Sequence, residues 1–495
     1  MVNFYISVGI FFVKNDIRKS IGWTDMQSGK RSSFLWEMGR GTAWFLGTLG
    51  SLFVLLVLSV SIPNDKIRSN LLDSATYLSE SEELFFQLRE GDRRTEIHNY
   101  ADATTLNILY SIEGENLLWE VVLSPFYSDR MNIEKSVTEL LEERIVSECP
   151  ADTVYDRYWH GMILILKPLL TLFTLQQVRW IFLGMLIVCA VVLTILLLRK
   201  KQYLPAVLVW LGALSVQIWM AAFCVEYFPV FLIAFLISVA MISMERNRNR
   251  ILDLCVVSGV CVAFFDFLTT ETLAFVLPMA LVYVLWNSNG RIKKVSEELL
   301  YLFRAACCWA GAYVFTYLMK WGLASIACGE ERFSVALMQL AGRQGNTVTN
   351  FAMDSLSKNQ IPADALQNAG GEILPQFVSA IVINIRLLLG LSGKITLEKL
   401  MLLLVMTGLL LAVFIYLFRK QGRMEPVSII LLLLGTIPML RMMVLNNHSI
   451  EHCFFVYRSL YGTIVCYGAG VLTVIDWEFL RRRKKHGSTR VKKQR

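Results

Sequence analysis

Four short stretches of the chain carry side chains able to do chemistry. The first, HNYADATTLNILY, gathers Tyr100, Asp102, Thr104, Thr105, Asn107 and Tyr110. Leu106, Leu109 and Ile112 recur behind it at helical spacing, which sets Asp102 at or near a helix N-terminus. A carboxylate there serves either as a general base or simply as a cap accepting backbone N–H bonds. The second stretch, DRYWHG, sets Arg157, Tyr158, Trp159 and His160 just before an apolar run that contains Lys167 and Pro168. One reading is an aromatic belt with basic residues reaching for headgroups. The other is an anion site, because Lys167 lies in apolar surroundings with no acid close in sequence and a lipid-linked phosphate would satisfy it.

The third stretch, FFDFLTTETLAF, carries Asp266 and Glu271 around Thr269 and Thr270. Two acids in a hairpin hold a cation, orient sugar hydroxyls, or end one helix and cap the next. The fourth, NNHSIEHCFFVYR, packs Asn446, Asn447, His448, Ser449, Glu451, His452, Tyr457 and Arg458 into one turn. Its HxxEH letters match a zinc-peptidase signature, but a tight turn without a third ligand makes that match accidental. A polar cluster facing a cavity, with Arg458 on a phosphate, accounts better for the composition.

These stretches need elements to position them. With 495 residues, 55% hydrophobic and 18% charged, and a mean hydropathy of +0.50, the chain is too apolar for a soluble enzyme. The pattern predicts an all-α polytopic membrane protein. Runs of about 17–22 apolar residues, each able to cross the hydrocarbon, begin near 43, 178, 203, 228, 251, 271, 298, 400, 426 and 456, giving an expectation of ten spans. The N-terminal run 4–13 is too short to cross and has no cleavage site after it, so it reads as an interfacial anchor or as a misassigned start rather than a signal peptide.

Lys and Arg concentrate at 14–41, 199–201, 245–250, 291–294, 419–423 and 481–495, whereas the turns near 225–228, 268–271 and 446–452 have none. This asymmetry predicts cytoplasmic termini in the plasma membrane. It divides the chain into a cytoplasmic segment 1–42, a first span 43–62, an outer loop 63–177, spans 178–318, a second outer segment 319–399, spans 400–475 and a basic tail 476–495. The amphipathic stretch 132–147 is a charged helix of the outer loop. The net charge of +8 sits beside spans without aromatic interleaving, which favours anionic lipid over nucleic acid as its partner. The ten cysteines show no metal-ligand spacing, and a Cys149–Cys328 disulfide is open without sequence support.

Taken together, HNYADATT, RYWHG followed by Lys167-Pro168, DFLTTE and NHSIEHCFFVYR, set in this architecture, resemble the type C glycosyltransferases. These are polytopic enzymes that use polyprenyl-phosphate-linked sugars. The resemblance implies a GT-C fold and transfer of a sugar to a glycan, lipid or protein acceptor on the outer face. It implies Asp102 as the base and Arg157, His160, Lys167 and Arg458 as phosphate contacts. Tyr100, Tyr158, Trp159, Asp266, Glu271, Asn447, His448 and His452 complete the expected substrate site. The family's acid usually follows the first span closely, often beside a second acid, whereas Asp102 lies well beyond Ile62, so Glu96, Asp266 or Glu271 stand as alternative bases. No cofactor is required; a divalent metal is compatible with phosphate departure. The rival readings are a flippase or exporter of lipid-linked sugars, which should show internal repeats and broken paired spans, and a surface-polysaccharide polymerase or ligase.

Overall fold

The computed structural model describes residues 28–80, 85–90, 92–114, 116–129, 135–292, 294–329, 332–343, 373–390 and 425–474. The architecture is helical, with two short antiparallel hairpins as its only strand pairs among the described residues. Four helices contain stretches long and apolar enough to cross a membrane. They are α1 (Ser28–Val60), α7 (Leu175–Arg199), α12 (Val295–Cys328) and α15 (Pro426–Val444). Their outer faces keep large apolar side chains exposed, among them Val54, Leu58, Trp180, Val188, Phe303 and Phe315. Water would not tolerate that surface, and hydrocarbon requires it. The chain is a membrane protein.

The remaining apolar runs form shorter helices. These are α8 (Tyr203–Ser215, 13 residues), α9 (Phe228–Ser243, 16 residues), α10 (Arg248–Phe265, 18 residues), α11 (Leu273–Ser288, 16 residues) and α18 (Leu460–Val474, 15 residues). The run beginning near 400 lies outside the described residues, as does the basic tail 476–495. Close crossings are made at small residues, as membrane helices require. Gly259 of α10 abuts α12, where a Cβ would stand 2.3 Å from the Trp309 carbonyl oxygen, and Gly435 of α15 abuts α18, where a Cβ would stand 2.5 Å from the Tyr467 ring.

Between α1 and α7 the chain folds back as α2 (Arg68–Ser79), α3 (Asn99–Ser111), α4 (Leu117–Leu123), α5 (Val137–Val146) and α6 (Ile163–Leu170). Strand β1 (Phe85–Gln87) pairs with β2 (Glu96–His98), opposing Phe85 to His98, and β3 (Pro125–Phe126) pairs with β4 (Thr153–Val154). The expected amphipathic helix appears as α5, with Leu140, Leu141 and Ile145 buried and a capping box between Ser136 and Glu139.

Turns that are far apart in sequence meet at the two ends of the bundle. Glu245 joins Arg291 at 2.9 Å and Lys200 at 3.5 Å at one end, where Arg248 also holds Glu298 at 2.7 Å. At the other end, the folded-back segment meets the turns after α8 and α10 together with α13 (Phe333–Arg343), α14 (Ile373–Leu388), α16 (Asn446–Glu451) and α17 (Cys453–Val456). The grouping matches the division of basic-rich from basic-free turns. The site lies at the end that carries the basic-free turns.

Candidate functional site

Two residues in the left-handed backbone region shape this end. His160 has φ 52° and Leu268 has φ 66°. Gly161 follows His160 because its N–H donates to the Phe264 carbonyl at 3.1 Å, and a Cβ there would stand 2.5 Å from that oxygen. The tight contact sets the His160 ring against Tyr155 and Phe267, at centroid separations of 5.0 and 5.1 Å. Leu268 turns its carbonyl toward α16, where it accepts from His448 Nε2 at 2.7 Å.

These constraints enclose a cavity of about 450 Å³. Its wall carries His98, His160, His448 and His452, the carboxylates Glu226 and Glu451, Arg343, and the aromatic faces of Tyr100, Tyr155, Tyr158, Phe267 and Phe455. A second, more apolar cavity of about 230 Å³ lies between α12 and α13, lined by Leu268, Tyr313, Tyr317, Trp321, Leu337 and Leu340 among others. Arg157 lines only the second; Tyr158 and Arg343 line both. The two spaces therefore meet at one pair, in which Arg343 Nη2 donates to the Tyr158 hydroxyl at 2.6 Å. Arg343 Nη1 is buried with no partner among the described residues.

Burial keeps three of the histidines neutral. It pushes His160 down to about 3, with Lys320 and Arg157 adding to the effect, and His452 down to about 3, with His98 adding. It also holds His448 well below the ordinary imidazole range, with His452 and Arg441 contributing. These rings offer hydrogen bonds and no charge. The positive charge of the site comes from the arginines.

Several expected site residues lie elsewhere. Asp102 is 0% exposed and pairs with Arg179, 1% exposed, at 2.7 Å. Its other oxygen accepts from the backbone N–H of Val225 at 2.9 Å. Asp102 is absent from both cavity walls, and it does not cap its own helix either. Lys167 donates to the carbonyls of Val60 and Ile112 at 3.2 and 3.5 Å, and burial lowers it to about 8. Arg458 spends its guanidinium on three carbonyls, those of Val216, Phe454 and Arg94. Neither cation reaches the cavities, because buried carbonyls already take their donors. Trp159 is buried, donating to the Thr316 carbonyl at 3.0 Å and stacking on Phe264.

The alternative acids are also committed to the scaffold. Glu96 pairs with Arg93 at 3.1 Å and Glu271 with Arg441 at 2.7 Å. Asp266 receives the Thr269 N–H at 3.0 Å and the Thr269 hydroxyl, and burial together with Glu271 raises it to about 8. Asn447 positions rather than lines: its side chain donates to the Gly342 carbonyl at 3.0 Å, next to Arg343. Cys149 and Cys328 are both free thiols. Tyr100, Tyr158, His160, His448 and His452 do converge on the first cavity.

Glu226 and Arg343 were missed as site residues. Glu226 had a readable signal: it is the only charged residue between Lys201 and Glu245 in an otherwise apolar stretch, and a lone acid in such a stretch points to a site. Arg343 had none, since it ends a helix whose pattern then dissolves. No family model matches this chain, and neither a curated protein nor a solved structure is similar to it.

Proposed function

We propose that this membrane protein is a glycosyltransferase that moves a sugar from a polyprenyl-phosphate donor to an acceptor hydroxyl. The carrying observation is that the polar and the apolar cavity meet at Tyr158 and Arg343, with a buried guanidinium nitrogen at the junction that has no partner among the described residues. A donor of this class has the same order of parts. Its sugar suits the aromatic and carboxylate wall, its isoprenoid chain the apolar cavity, and its phosphate the arginine between them. Arg157, on the apolar side, reinforces the charge.

The acceptor oxygen forms the new bond to the anomeric carbon. The bond from that carbon to the phosphate oxygen breaks, and the lipid phosphate departs with the electron pair. One of the two carboxylates of the wall, Glu226 and Glu451, takes the hydroxyl proton. Arg343 offsets the charge that grows on the leaving phosphate. In this reading the chain is a ten-span, GT-C-like protein of the plasma membrane, with both termini cytoplasmic and the cavity open to the outer leaflet.

The test is incubation of purified protein with a sugar-labelled polyprenyl-phosphate donor. Release of free lipid phosphate is expected, and Arg343→Ala should slow it by roughly 100-fold. An intact sugar–lipid bond, with the labelled lipid instead changing leaflet in proteoliposomes, overturns the enzymatic reading in favour of an exporter.

A further inference from the structure

We propose that His98, Cys224 and Glu226 form a site for zinc or another borderline divalent metal in the wall of the polar cavity. One ligand atom from each lies within 4.8 Å of the others. His98 Nδ1 stands 3.3 Å from Glu226 Oε2 across a separation of 128 residues. Tetrahedral ligands on one zinc ion sit roughly 3.3–3.8 Å apart, so a closure of at most about 1–1.5 Å completes the set. An imidazole, a thiolate and a carboxylate together suit zinc and its neighbours, whereas calcium and magnesium prefer oxygen-only shells. Three protein ligands with one position left open is the pattern of a reactive rather than a purely structural zinc. That position faces the cavity: His98 and Glu226 line it, while Cys224 is buried behind them.

The ligands are also held in place. The His98 ring stacks between Tyr100 and Tyr227, at 6.0 and 6.3 Å, with the edge of Phe454 at 5.9 Å. The loop carrying Cys224 and Glu226 hangs from Asp102 through the Val225 N–H, and Asp102 is itself pinned by Arg179. Asp102 thus joins the two segments that bring the ligands together, a positioning role of the kind metal sites need behind their ligands. Local cysteine spacing could not show the site because it is assembled across the fold. With Glu226 bound to metal, Glu451 is the carboxylate that takes a proton in the cavity.

The inference is independent of the donor, so it is tested without turnover. Full-length purified protein is stripped with chelator and loaded with cobalt(II). Stoichiometric uptake and a thiolate-to-cobalt charge-transfer band are expected. Cys224→Ser should abolish the band, and His98→Gln or Glu226→Gln should weaken zinc retention by roughly tenfold or more. No uptake by the wild type, or a band that survives Cys224→Ser, overturns the site. Where the serine variant does not fold, X-ray absorption at the zinc edge of the wild type decides, since a shell of light atoms without sulfur overturns it equally. Glycosyl transfer stands or falls separately, on the labelled donor.

Discussion

At the scale of residues, what separates a scaffold acid from a reactive one is whether it reaches an open cavity. Asp102 gives both oxygens away, to Arg179 and to the Val225 amide, with no water contact. Glu451 and Glu226 face an open cavity. Removing one partner of a buried ion pair leaves the other charged and unpaired, at a cost of about 3–5 kcal/mol. Asp102→Ala should therefore lower the thermal unfolding midpoint in detergent sharply, because among the described residues Arg179 keeps as hydrogen-bond partners the Asn99 side chain at 2.9 Å and the Tyr77 hydroxyl at 3.3 Å. Glu451→Gln should remove transfer while lowering the midpoint far less than Asp102→Ala does. A stable, inactive Asp102→Ala protein would return the base to Asp102.

At the scale of elements, function depends on crossings that leave no room. Gly161 sits where the chain passes under the end of α10, and an added Cβ would stand 2.5 Å from the Phe264 carbonyl oxygen and 2.5 Å from Cδ1 of its ring. Backbone cannot swing aside as a side chain can, so Gly161→Ala should cost about 1–3 kcal/mol and tilt the His160 ring out of the cavity. Gly311, in mid-α12 with nothing within 4 Å, is the control: alanine there should be neutral or stabilising by about 0.5–1 kcal/mol. Equal midpoint changes for both would mean the crossing is looser than described. Elements of this kind were legible where periodicity and length speak, as for α1, α7, α12, α15 and the amphipathic α5. The apolar runs near 203, 228, 271 and 456 were found, but as helices of 13–16 residues, since composition marks an apolar stretch without marking where turns shorten it. The site was legible in its aromatic and histidine wall, where neighbours in sequence are neighbours in space. It was illegible in its charges. Nothing local distinguishes Lys167, which answers two carbonyls, from Arg343, whose Nη1 has no partner among the described residues.

At the scale of the whole molecule, the end that carries the cavities buries its titratable groups, and their titration should set the stability of the protein against pH. Asp266 is raised to about 8 from an ordinary 3.8 by burial and by Glu271. The folded state therefore favours its protonated form, and stability from this group grows as pH falls from about 8 toward 3.8. His160 and His452 are lowered to about 3 from 6.5 by burial. Their contribution is complete above pH 6.5 and is lost as pH falls toward 3. Each unit of pH inside its window is worth about 1.4 kcal/mol per group. From pH 6.5 to about 8 the Asp266 slope acts against these histidines' completed contribution, and above 8 the lowered Lys167 opposes it; below 6.5 two histidines, joined by His448 with the same sign, outweigh the one carboxyl. The unfolding midpoint should thus peak near pH 6–7 and fall on both sides, by about 2 kcal/mol per histidine at pH 5 before the Asp266 gain is set against it. Asp266→Asn should flatten the alkaline limb. His160→Gln, whose amide can still donate to the Tyr155 carbonyl that the ring reaches at 3.0 Å, should make the acid limb shallower. A midpoint that climbs steadily from pH 8 to pH 5 would mean that these rings accept protons in the folded state, and then the cavity would carry histidine charge for an anionic ligand as well as that of Arg343.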